Sequence, residues 1–264
     1  MKEVLTTCQA IYVLICDKGL FFDFITSMEG GRVFRVTKKD LWDLAKRVLK
    51  FYKTKMNVTS DTYCVDIEAL AGFLGYRVQN VSLGEDADIM GFTAFDPTVL
   101  DLSDQCGYPV SVAVDPNTIV LNDSIIDTCV GRYRFTLAHE VAHLILDMVY
   151  HVNYKVKYRS NPKVIKICRN NTYDYGEYIA DRLASYLLIL DNVLRIKFKE
   201  FFKHSRVDII SPFDNTGDYS RFCKIADYFG VSREALGIRL QQTEMLGKYY
   251  SYQHQYKLDV YPVA

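Results

Sequence analysis

The sequence has no surplus charge of either sign: 32 lysines and arginines stand against 32 aspartates and glutamates over 264 residues. A balanced chain has no global field to draw in nucleic acid or an anionic membrane, so either partner would need a local patch. Long apolar runs are missing too. The longest early one, Ile11 to Cys16, runs into Asp17 and Lys18 and is too short to span a bilayer. No small-residue cleavage site follows a clean apolar stretch, so no secretory signal is expected. The 7 cysteines (Cys8, Cys16, Cys64, Cys106, Cys129, Cys168 and Cys223) contain no C-x-x-C pair. An odd, scattered set reads as reduced thiols in a cytoplasmic protein, not as a disulfide framework or a cysteine metal site. Internal repeats and low-complexity blocks are absent as well.

What is present suits a globular protein: 49% hydrophobic and 24% charged residues, enough to bury a core. Residues 1–36 carry apolar stretches around Asp17-Lys18-Gly19 and a Gly30-Gly31 break, which predicts a small strand hairpin. Thr37 to Asp40 has the form of a capping box, and Leu41, Leu44, Ala45, Val48, Leu49 and Tyr52 recur at helical spacing. A helix ending near Lys55 follows. A shorter helix is predicted from Asp66 to Leu74, stopped by Gly75, with a strand over Tyr76 to Val81. Between Val110 and Leu121, two β-branched runs flank the turn tripeptide Asp115-Pro116-Asn117, which predicts a hairpin. Helices are expected at Arg132–Leu146, Tyr175–Leu190, Asp191–Lys203, Tyr219–Phe229 and Ser232–Gln242, with a polar, basic loop over 152–171.

The chemistry concentrates in Arg134-Phe-Thr-Leu-Ala-His139-Glu140-Val-Ala-His143-Leu-Ile-Leu, an H-E-x-x-H motif in a helix that is apolar nearly all round. Residues four apart differ by about 40° around a helix, so both imidazoles can face one ion while Glu140 sits beside it. Polar side chains in so apolar a helix need partners, because unpaired burial costs about 2–7 kcal/mol. A catalytic zinc takes a third protein ligand and keeps one position for water. Tyr175-Gly-Glu177-Tyr-Ile-Ala-Asp181 offers one: Glu177 and Asp181 share a helix face, so Glu177 can ligate while Asp181 accepts the N–H of a ligand histidine. Asp147, Asp174, Glu200, His151 and His204 are the alternative third ligands. The expected cofactor is one Zn2+ per chain, another dication being compatible with the same donors.

Such a site would hydrolyse peptide bonds, with Glu140 as the base that takes the proton of the attacking water and passes it to the leaving amine. Tyr158, His204 and Arg182 are candidate stabilisers of the developing oxyanion.

The segment Arg134 to His143 resembles the active-site helix of the ImmA/IrrE metallopeptidase family. Ile67-Glu-Ala-Leu-Ala-Gly-Phe-Leu-Gly75-Tyr-Arg-Val is similar to the family's helix-glycine-strand opening, and Thr118-Ile-Val-Leu-Asn122 to its strand before the active-site helix. Glu177 to Leu188 resembles its third-ligand helix, and Phe229 to Leu240 the segment that follows. The segment before Asp66, the stretch 152–171 and the run Leu187-Leu188-Ile189-Leu190, where relatives commonly carry a proline, depart from the pattern. The resemblance implies an α+β fold of the zincin-like type, a small β-sheet packed on the active-site helix and followed by a helical C-terminal region. It also implies a cytoplasmic regulatory protease of a bacterium or mobile element, gluzincin-like in its ligands His139, His143 and Glu177, which cleaves a helix-turn-helix repressor. The expected division is an N-terminal extension with the first helix (1–60), a catalytic domain (61–192) and a helical C-terminal region with a tyrosine-rich tail (193–264).

Lys224 to Leu236 reads as helix, glycine turn, serine N-cap and second helix. Leu236, Ile238 and Leu240 predict a packed face there, and with only Arg233 and Arg239 to contact phosphate, direct DNA binding is not expected. The tail tyrosines Tyr249, Tyr250, Tyr252, Tyr256 and Tyr261 are expected to lie on their own domain. The competing functional reading is a non-catalytic module that sequesters a repressor or other partner.

Overall fold

The computed structural model describes residues 36–57, 64–82, 90–103, 108–123, 130–150, 175–213 and 217–249. The expected hairpin of residues 1–36, the loop 152–171 and the tail beyond Tyr249 lie outside them. The chain divides into two compact units, residues 1–60 with 65–187, and residues 61–64 with 188–264.

In the first unit, helix α1 (Lys38–Lys55) starts where Thr37 accepts from the Asp40 amide and Asp40 accepts from the Thr37 amide at 2.8 Å, a complete capping box. Leu41, Leu44, Ala45, Val48, Leu49 and Tyr52 are buried along one stripe of it, as their spacing predicts. Helix α2 (Ile67–Phe73) is capped by Asp66, whose carboxylate accepts from the Ala69 amide at 2.9 Å. Gly75, at φ +88°, reverses the chain into strand β1 (Arg77–Val81), a left-handed conformation that a side chain would strain.

Strands β2 (Gly91–Ala94), β3 (Thr98–Ser103), β4 (Pro109–Val114) and β5 (Thr118–Asn122) follow. The main sheet is mixed, in the order β1-β5-β2, with β1 parallel and β2 antiparallel to β5. All five residues of β5 are buried, which suits a central strand.

The hairpin predicted across Asp115-Pro116-Asn117 does not form. The turn is made, with Asn117 at φ +55°, but β4 pairs with β3 in a separate two-stranded sheet. β5 carries apolar residues on both faces and takes neighbours on both edges, whereas β4 exposes Ser111 and Ala113 and buries Val114. Adjacency in sequence therefore loses to burial of β5. Strands β2 and β3 were not anticipated; β2, the four-residue stretch Gly-Phe-Thr-Ala, carries too little periodicity to register.

Helix α3 (Val130–Tyr150) packs on α2, β2 and β5, burying Leu137, Ala138, Val141, Ala142, Leu144, Ile145 and Leu146. Arg134 anchors its first half by donating to the Val65 carbonyl at 2.8 Å. Helix α4 (Tyr175–Leu188) buries Ile179, Ala180, Leu183, Ala184 and Leu187.

The second unit holds α5 (Asp191–Phe202), β6 (Val207–Ile210), α6 (Asp218–Phe229), α7 (Arg233–Gln242) and β7 (Leu246–Tyr249). β6 and β7 pair in parallel, a two-stranded sheet the sequence reading did not contain. Its core gathers Phe198, Phe202, Phe222, Phe229, Leu236 and Leu240. The helix-turn-helix outline is present: Gly230 at φ +60° ends α6, and Ser232 caps α7 by accepting from the Ala235 amide at 3.1 Å. The packed face is Leu236 and Leu240, while Ile238 is 48% exposed, a correction that follows from its offset of about 200° from Leu236 around the helix. Arg239 is turned inward, 2% exposed, with its guanidinium on the Asp191 carboxylate, 3.2 Å from Gln242 Oε1 and 3.5 Å from the Ile189 carbonyl.

Candidate metal centre

Two helices of the first unit bring the site together, each contributing polar residues one turn apart. His139 and His143 project from α3, and Glu177 and Asp181 from α4. His139 Nε2 lies 2.9 Å from His143 Nε2 and 3.1 Å from Glu177 Oε2, and His143 Nε2 lies 3.4 Å from Glu177 Oε1. On the other side of its ring, His139 Nδ1 lies 2.8 Å from Asp181 Oδ1. Asp181 is an acceptor, so in the neutral ring the proton sits on Nδ1 and the Nε2 lone pair points at the Glu177 oxygen. A lone pair aimed at a carboxylate is repulsive, so the contact calls for a proton on Nε2 or a metal ion between the two.

The electrostatics of the pocket have the same sense. Burial opposes a charge on His139, but hydrogen bonds to Asp181 and Glu177 and the charges of Glu140 and Asp181 outweigh it, raising its pKa from 6.5 to about 10. Burial would raise the Glu177 carboxyl, yet hydrogen bonds and then charge from the two histidines hold it well below the usual carboxylate range. The pocket favours positive charge among its ring nitrogens and carboxylates.

The donor set fits a dication. Ligands at about 2.0–2.1 Å around a tetrahedral ion stand about 3.3 Å from one another, and the three separations here run from 2.9 to 3.4 Å. Among the described residues, His139, His143 and Glu177 form the group of His, Cys, Asp or Glu side chains able to hold a metal ion. Residues 98–241, more than half of the chain and including all of these side chains, match the peptidase M78 family model, described as the IrrE N-terminal-like domain. The chain belongs to the M78 peptidase family. The resemblance to ImmA/IrrE proteins and the zincin-like α+β fold are thereby borne out, and the M78 protein is a metallopeptidase with a His, His, Glu group compatible with a metal. No curated protein matches it.

Glu140 of this M78 peptidase is 7% exposed, and its Oε2 accepts a hydrogen bond from Thr93 Oγ1 of β2 at 2.9 Å. Thr93 was missed by sequence reasoning. It lies 47 residues upstream in a strand too short to predict, and no local signal marks it.

Of the other residues singled out, Asp147 stands one turn beyond His143 and outside the ligand group. Glu200 pairs with Lys197 at 2.8 Å on α5 of the second unit. His204 is exposed in the turn after α5. Arg182 places its guanidinium 5.3 Å from the centroid of the Tyr178 ring, on its own helix. Tyr158, His151 and Asp174 lie outside the described residues. Among the described residues no helix is long and apolar enough to cross a membrane.

Proposed function

We propose that this M78 metallopeptidase is a zinc-dependent endopeptidase of the cytoplasm that cleaves a helix-turn-helix transcriptional repressor as a regulatory switch. The observation that supports the chemistry best is the convergence of His139 Nε2, His143 Nε2 and the Glu177 carboxylate, with the Glu140 carboxylate one residue from the first. Two imidazoles and a carboxylate suit zinc, a borderline-soft dication, and leave room for water and substrate. The repressor substrate rests on the family resemblance.

His139, His143 and Glu177 would hold the ion, and Asp181 would hold the His139 ring with its Nε2 turned inward. Zinc bound there supplies Lewis acidity toward the scissile carbonyl and lowers the pKa of the attacking water. Glu140, adjacent to the ligands, accepts the proton as the water oxygen bonds to the carbonyl carbon. It then delivers that proton to the nitrogen as the C–N bond breaks.

The test is elemental metal content together with cleavage of co-expressed repressors. About one zinc per chain, lost in Glu177→Ala, and Glu140→Gln that keeps zinc while losing cleavage by about 100-fold or more, are the expected results. Cleavage retained in Glu140→Gln would overturn the mechanism. Absence of bound metal after zinc is supplied would favour a non-catalytic module that sequesters the repressor.

A further inference from the structure

Strand β2 reaches the active-site helix through two residues on one of its faces. Gly91 and Thr93 are two apart and therefore point the same way. A Cβ on Gly91 would lie 2.8 Å from Leu121 Cδ2, 3.0 Å from the Val120 carbonyl oxygen and 3.3 Å from Thr136 Cγ2. Thr93 Oγ1 donates to Glu140 Oε2 at 2.9 Å. Thr136 and Glu140 are successive turns of α3, so the strand face lies along the helix with 91 against 136 and 93 against 140. The periods agree, because two strand residues advance about 6.7 Å and four helical residues about 6 Å. Gly91, having no side chain, lets the strand approach closely enough for the next residue on that face to reach the carboxylate.

Glu140 has three rotatable side-chain bonds, and its carboxylate is buried. One charge-assisted bond from a hydroxyl on a sheet strand selects one orientation of that carboxylate. We propose that Thr93, set by the close approach at Gly91, is a positioning residue for Glu140: it ties Oε2 and leaves Oε1 for proton transfer. Both residues lie upstream of the segment that matches the family model. The inference rests on the metallopeptidase reading of Glu140.

The experiment compares zinc-loaded wild type, Thr93→Val and Thr93→Ser for zinc content, thermal unfolding, hydrolysis of a fluorogenic peptide selected from a mixed library with the wild type, and crystal structure. Thr93→Val removes the donor at nearly constant volume, and Thr93→Ser keeps it. The expected result is that Thr93→Val retains its zinc, loses about 10- to 100-fold in kcat with KM nearly unchanged, and shows the Glu140 carboxylate rotated or in several conformers. Thr93→Ser recovers kcat to within a few-fold. Wild-type kcat in Thr93→Val overturns the proposal, as does equal loss in both variants accompanied by loss of zinc or of folding, which would make Thr93 a packing residue. A wild type that binds zinc but cleaves no peptide would count against the endopeptidase reading. The Glu140 conformers then decide the role of Thr93 alone, and an unchanged carboxylate in Thr93→Val rejects it.

Discussion

His139 is held from both sides of its ring, by Asp181 Oδ1 at 2.8 Å from Nδ1 and by Glu177 Oε2 at 3.1 Å from Nε2. Asp181 and Glu177 are one turn apart on α4, so a single helix sets both the ring's tautomer and the carboxylate it faces. Removing the outer acceptor should loosen the ring without removing a ligand. Asp181→Ala is expected to weaken zinc binding about 10- to 100-fold, read by competition against a chromogenic chelator. Asp181→Asn, whose amide oxygen still accepts from Nδ1, should fall between the two.

Gly91→Ala would place a methyl group 2.8 Å from Leu121 Cδ2 and 3.0 Å from the Val120 carbonyl. The side chain can shift, but the carbonyl belongs to central strand β5 and cannot move without disturbing β1 as well. A loss of about 1–3 kcal/mol is expected from this overpacking, visible as a lower thermal midpoint. A variant as stable as wild type would show that β2 is freer than the contacts imply.

Arg239→Ala tests the interior of the second unit. It strips the partner from Asp191 and leaves the Ile189 carbonyl and Gln242 without that donor. The Asp191 side chain is 31% exposed and keeps some water, so the cost should be about 3 kcal/mol, the lower end for a broken buried pair. Urea unfolding measures it. Zinc content should not change, since none of the ligands lies in this unit.

Ser232→Ala removes the hydroxyl that accepts from the Ala235 amide at 3.1 Å. About 1 kcal/mol of stability should go with it, and Ser232→Asp should restore most of that. If both variants unfold with the wild type, the cap contributes nothing and α7 is held by its buried face, Leu236, Leu240 and the Arg239–Asp191 pair.

Several features of this chain were legible because their causes are local. The capping box of Thr37 and Asp40, the caps at Asp66 and Ser232 and the glycine stops at Gly75 and Gly230 all act within a turn of where they stand. The ligand spacing belongs to the same class. His139 and His143 share a face by helical geometry, as do Glu177 and Asp181, so each half of the site is determined by its own helix before the two meet.

The tertiary structure alone decided how the halves and strands are matched. β5 took β1 and β2 as neighbours and left β4 to β3, because a strand buried over its full length needs partners on both edges, whatever turn precedes it. Arg239, an unremarkable basic residue in the sequence, became buried because Asp191, 48 positions away, came to meet it. Thr93 acquired its place beside Glu140 only when β2 was laid along α3, across 47 residues. Periodicity and capping act over one or two turns of chain, so they specify elements and the residue types on each face. Which faces meet is settled by burial and hydrogen bonding between distant segments, to which no local pattern is sensitive.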